Sequence, residues 1–272
     1  MKTLIRLGSI ILLFAGHIQT LFAQGLERII VEKYYISGKE DIAKEGGILP
    51  VGSVTYRIYA DMLPGYKFQA AFGIPGHELR LATTTSFFNN EDRGSYIPTV
   101  IAYRHVDQNT IMLDSWLTAG AACEGHWGVL KSEDDTVNTI VSRDHILQND
   151  NKEAGIPLKE RDGLFIGLAP RVTFFGIDSM AISMFSNRND KNIQNIFSTE
   201  NGSWATLGGT NGPTPENRVL IAQMTTDGIF SFELNLQIGS ADGKSFKRYV
   251  AKNPTSDELQ IESLIYDSSS KH

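Results

Sequence analysis

The side chains that could do chemistry in this chain of 272 residues fall into three kinds, which are hard oxygen donors, imidazoles beside a thiol, and carboxylates near hydroxyls. Asn89, Asn90, Glu91 and Asp92 place four oxygen-bearing side chains just before Gly94, and oxygen donors on a turn are what calcium takes. The spacing is not that of an EF-hand loop, so a solvated polar turn stands beside the calcium reading. Glu133, Asp134 and Asp135 form a second acidic cluster, which reads as plain surface.

Cys123, His126 and Trp127 are close enough in sequence to be read as a nucleophile, a base and a stacking platform. Nucleophile and base pairs are built by the fold rather than by adjacency, so Cys123 also reads as a small apolar residue packed with Ala121, Ala122 and Gly125. His77, His105, His126 and His145 do not have the spacing of a helix-borne zinc motif. Asp114-Ser115-Trp116 lacks the glycines of a nucleophile elbow, and a tryptophan on a strand is either core or a carbohydrate-stacking surface. Strand-end carboxylates are numerous enough for a glycosidase pair, but nothing selects two of them.

The elements that must position these groups are strands. Leu26 to Ile36 opens the domain, and Val54 to Ala60 alternates with Val54, Tyr56, Ile58 and Ala60 on one face. Tyr66 to Phe72, Glu78 to Phe88, Ile111 to Thr118, Gly163 to Phe175 and Trp204 to Leu207 continue the pattern, separated by Gly and Pro. Gly120 to Gly128 reads as a close-packed strand or tight connection, and Lys131 to Glu153 as a polar surface excursion. Val219 to Ile238 reads as the central hairpin. A two-residue turn would bury Gln223 opposite Phe232. A three-residue turn, Thr226-Asp227-Gly228 with glycine at positive φ, instead sets Leu220, Ala222 and Met224 against Leu234, Phe232 and Phe230. The expected fold is all-β, an antiparallel β-sandwich of jelly-roll or Greek-key kind, in one large domain over residues 24–250 with a tail at 251–272.

Net charge is −6 and no basic stripe stands out, which gives no support to nucleic-acid binding. Residues 1–23 read as a signal peptide: Lys2 and Arg6 precede the apolar run Leu7 to Ala15, and Leu21-Phe22-Ala23 offers a cleavage site. The run is shorter than the roughly 20 residues a membrane span needs. Cys123 is the only cysteine, so an exported chain of this sequence has no internal disulfide and must be stabilised by its core.

Thr55-Tyr56-Arg57-Ile58-Tyr59-Ala60, Ser86-Phe87-Phe88, Asp114-Ser115-Trp116-Leu117-Thr118 and Leu220 to Gly228 resemble a group of exported proteins of Bacteroidota and other aquatic bacteria. The resemblance spans most of residues 30–250 and implies an extracytoplasmic β domain, without implying any chemistry. Asn253 to Ile261 resembles the first strand of a type IX secretion C-terminal sorting domain, and Asp135-Thr136-Val137 and Asp178-Ser179-Met180 resemble the O-glycosylation triplet of that phylum. The expectation is an exported non-enzymatic module, secreted, periplasmic or on the cell surface, with a structural, adhesive or ligand-binding role and polysaccharide or cell-surface proteins as partners. The alternative is a secreted hydrolase acting on polysaccharide. No cofactor other than calcium is expected.

Overall fold

A computed structural model describes residues 25–41, 46–134, 147, 151–156, 158, 162–185 and 195–270. The signal segment 1–23, Asp135 and His145 lie outside them. The described chain is all-β and sandwich-like. One sheet carries, in spatial order, β1 (Leu26–Ile36), β2 (Val54–Met62), β12 (Arg218–Thr226) and β5 (Trp116–Leu117). A second carries β10 (Ile196–Thr199), β4 (Leu79–Thr83), β13 (Phe230–Glu233) and β17 (Ile265–Asp267). The third and largest runs β16 (Glu258–Gln260), β15 (Phe246–Val250), β14 (Leu236–Gly239), β3 (Lys67–Gly73), β11 (Gly202–Thr210) and β9 (Thr173–Phe175). A small fourth sheet is made of β6 (Ala121–Cys123), β7 (His126–Gly128) and β8 (Leu164–Ile166). The strand pairs are antiparallel apart from β15 with β16, which run parallel.

The stretch 219–238 is not a hairpin. β12 bonds to β2 and β5, whereas β13 bonds to β4 and β17, so residues 227–229 carry the chain across the sandwich from one sheet to another. The expected glycine conformation is also absent, since Gly228 does not have positive φ. What requires glycine there is space: a Cβ at 228 would lie 2.6–2.8 Å from the hydroxyls of Thr83, Thr84 and Thr85. These hydroxyls hold the crossing, with Thr83 Oγ1 2.7 Å and Thr85 Oγ1 3.0 Å from Thr226 Oγ1, and Thr85 donating to Asp227 at 2.6 Å. The expected burial of Phe230 and Phe232 stands, because crossing sheets still leaves both rings inside the sandwich.

Two cores result. The first lies inside the sandwich and joins Ile58, Ala60, Val219 and Ile221 to Leu79, Leu81, Phe230, Phe232, Phe68, Trp204 and Leu236. The second lies on the opposite face of β2 and β12, where Tyr34, Tyr59 and Leu220 pack under Leu113, Trp116 and Leu164 from the long 84–175 connection. That face reads as water-facing in the sequence. Both faces of β2 are in fact buried.

The boundary at 250 also moves. Residues 251–270 are not a tail: β16 extends the large sheet, β17 pairs with β13, and Leu264 is fully buried in the first core. Their polar composition hid this, because only Leu264 of the segment is deeply buried apart from Ala251.

Candidate functional site

The four residues expected to bind calcium are used locally. Asn90 is fully buried, its Oδ1 accepts from the backbone N–H of Asp92 at 3.1 Å and of Arg93 at 2.9 Å, and its Nδ2 donates to the carbonyl of Asn109. This is how short polar side chains close turns. Asn89 Nδ2 donates to Met184 O at 2.7 Å, Asp92 pairs with Arg93 at 3.0 Å, and Glu91 is exposed. Among the described residues no group of three or more His, Cys, Asp or Glu side chains is arranged to hold a metal ion.

Asp114, Ser115 and Trp116 are interior. Asp114 accepts backbone N–H groups of Asn90 at 2.8 Å and Ser95 at 2.6 Å, and burial pushes its carboxyl up to about 8 against those donors. Ser115 Oγ accepts from Thr225 N at 3.0 Å, and Trp116 is core. Glu133 and Asp134 of the acidic run are not plain surface either. Glu133 pairs with Arg218, and buried Asp134 accepts from the N–H groups of Asp162 and Gly163, each at 3.1 Å. Lys131, expected on a surface excursion, is 2% exposed and donates to three carbonyls, those of Tyr34, Ala154 and Ile156, at 2.6–2.7 Å.

An open groove of about 500 Å³ lies at the β1, β2 and β12 ends and gathers Glu27, Arg28, Asp61, Glu216 and Arg218. Each oxygen of Asp61 already accepts from a guanidinium, Arg28 at 3.0 Å and Arg218 at 3.1 Å.

The trio Cys123, His126 and Trp127 is brought together by the small sheet, but with roles different from a catalytic pair. Cys123 is buried and its thiol is pushed up to about 12 by burial, so it is held as a thiol rather than as a nucleophilic thiolate. His126 Nδ1 lies 3.1 Å from the carbonyl of Glu124, which fixes Nδ1 as the protonated nitrogen. Its ring is covered by Tyr103, stacked at 3.9 Å between centroids and 13° between planes. Tyr103 is 41% exposed, and it sits on a single 3₁₀ turn, Tyr103–His105, outside any regular sheet. Sequence reading missed Tyr103, because nothing local links it to a strand at 126.

Around this stacked pair the small sheet displays further apolar surface. Antiparallel pairing puts Ile166 beside His126 on one face of the small sheet and Phe165 beside Trp127 on the other. Ile166 is 60% exposed and Leu168 is 89% exposed, while Phe165 and Trp127 are half-buried. The Trp127 indole packs against Gly120 and Gly167, where any Cβ would overlap the ring, so these two glycines let it lie against the backbone. On the His126 side, Tyr103, His126 and Ile166 make a surface of flat rings and an aliphatic side chain with polar edges. Such a surface stacks on apolar ring faces and supplies no activated nucleophile. No known protein family matches the sequence, and no curated protein and no solved structure matches it.

Proposed function

We propose that this chain is an exported, non-enzymatic β-sandwich module that binds polysaccharide through the face formed by Tyr103, His126 and Ile166. The observation that carries the reading is the 41% exposed Tyr103 ring stacked on His126, with exposed Ile166 paired beside His126. The apolar face of a sugar ring packs on such surfaces while its hydroxyls stay hydrated, and an aromatic side chain contributes large contact area at little entropic cost. Export follows from the reading of residues 1–23 as a signal peptide. Native affinity electrophoresis in gels containing β-glucan, xylan, galactomannan or alginate tests the proposal. Retardation by at least one, lost in Tyr103→Ala and Ile166→Ala with unchanged melting temperature, is the expected result. Unretarded migration in all four gels overturns it.

A secreted hydrolase acting on polysaccharide is the second reading, favoured by the carboxylates of Glu27 and Glu216 in the open groove. Its mark would be reducing-end release that disappears in Glu27→Gln or Glu216→Gln.

A further inference from the structure

The strands that display the aromatic face are short, and their fourth sheet shares no ladder with the other three. Something else must fix them against the sandwich. The backbone atoms just beyond β7 and just before β8 are gripped by side chains of β1 and β2 that project from the face expected to be wet. Tyr59 Oη donates to the carbonyl of Val129 at 2.8 Å. Tyr34 Oη donates to the carbonyl of Asp162 at 2.5 Å, and Arg57 Nη1 donates to the carbonyl of Gly163 at 2.9 Å. The Arg57 guanidinium lies 3.6 Å over the Tyr34 ring and its Nε donates to Gln223 Oε1 at 2.9 Å, so Arg57 ties Tyr34 to β12. All three side chains are fully buried, or within 1% of it. Val129 N donates to Gly163 O at 3.0 Å, closing the pair of strands at the point where the grips are applied. Gly128 in turn lies directly on Leu220 of β12, with no room for a side chain between them.

We infer that Tyr34, Arg57 and Tyr59 are positioning residues for the aromatic face: their donors lock the β7 and β8 backbones to the sandwich so that His126 and Ile166, with Tyr103 stacked on His126, are held in place before any ligand arrives. A face held in this way binds without the cost of ordering its own side chains. The inference rests on the proposed role of the face for its functional meaning, but the locking itself is testable without a ligand. Trp127 is the half-buried tryptophan of the three, Trp116 and Trp204 being buried, so acrylamide quenching of intrinsic fluorescence reports chiefly on Trp127.

Tyr59→Phe and Tyr34→Phe each delete one gripping hydroxyl with little change of shape. Tyr249→Phe is the matched control, because its buried hydroxyl accepts from Leu26 N at 3.2 Å on a strand of the large sheet. Measured well below the melting temperature, Tyr59→Phe and Tyr34→Phe are expected to raise the quenching constant of the mature chain and to weaken retardation in the responsive polysaccharide gel by up to about tenfold in affinity. Tyr249→Phe is expected to leave both unchanged even where it lowers stability as much. Equal quenching in all three variants and wild type overturns the inference, as does an equal rise in the control. If wild type is retarded by no polysaccharide, the binding role fails while quenching still decides the positioning. Should the two variants fail to fold, hydrogen exchange on wild type decides: amides of 126–129 and 163–166 exchanging orders of magnitude faster than those of β2 would overturn it.

Discussion

At the scale of single residues, the most informative positions are polar groups placed where the sequence predicts water or a turn. Gly228 is one. Its substitution by alanine should cost about 1–3 kcal/mol, because a methyl must displace three threonine hydroxyls that themselves hold the crossing between sheets. Urea denaturation at neutral pH checks this, and a neutral result would mean that the threonine cluster gives way freely. Asp114 and Lys131 are the second case, with opposite signs. The folded-state pKa of Asp114, about 8, lies above the ordinary value of about 4, so the native state holds a proton that the unfolded chain releases. Its contribution is therefore full below about pH 4 and is lost as pH rises toward 8. Lys131 is pulled from 10.5 down to about 8 by burial, with Glu32 opposing, so the unfolded chain binds more protons between those values and stability recovers as pH rises through them. The two together give a stability minimum near pH 8. Asp114→Asn should flatten the acid side and Lys131→Met the alkaline side, as measured by denaturation midpoints from pH 5 to 10. Identical pH profiles for wild type and both variants would contradict this.

At the scale of elements, β13 and the C-terminal strands carry the clearest expectations. Phe232 is 1% exposed, stacks on Tyr266 of β17 at 5.3 Å and 20°, and lies 5.9 Å from the Phe230 ring. Phe232→Ala should cost about 3–5 kcal/mol by leaving a cavity between sheets. Glu233 on the same strand pairs with half-exposed Lys252, and Glu233→Gln should cost well under about 1 kcal/mol. Truncation after Ala251 removes β16, β17, Leu264 and Tyr266, and should abolish the cooperative thermal transition, which calorimetry would record. The 89–94 turn is closed by its own amide side chain, so millimolar calcium should leave the melting temperature unchanged. A rise of several degrees would reinstate a calcium site at Asn89, Asn90, Glu91 and Asp92.

At the scale of the whole molecule, far-UV circular dichroism should be dominated by strand, and intact-mass measurement of exported protein should place the mature N-terminus at or near Gln24. Fold class was legible because alternation of apolar and polar residues and the Gly and Pro spacing are local quantities. β1 falls on Leu26–Ile36 as read, and β2 covers the whole alternating run from Val54. Partnering was not legible. Strands β12 and β13 are adjacent, strongly patterned and separated by Asp-Gly, and local rules favour a hairpin, yet each finds a longer or better packed neighbour elsewhere. Of the candidate site, the sequence supplied Cys123, His126 and Trp127 as neighbours, while Tyr103 arrives from a 3₁₀ turn and Ile166 from β8, roughly 20 and 40 residues away, a separation no local pattern spans. The sequence by itself determined which residues lie on the same side of each strand, since that follows from the period of two. Only the tertiary structure decided what covers that side. Arg57 and Gln223 alternate with apolar neighbours as water-facing residues do, and a second layer of chain instead bonds Arg57 Nε and Nη1 and the Gln223 amide with carbonyls and each other, leaving Arg57 Nη2 buried without a partner among the described residues. Alternation records that a side chain needs polar partners, and whether water or protein supplies them depends on contacts more than a hundred residues distant.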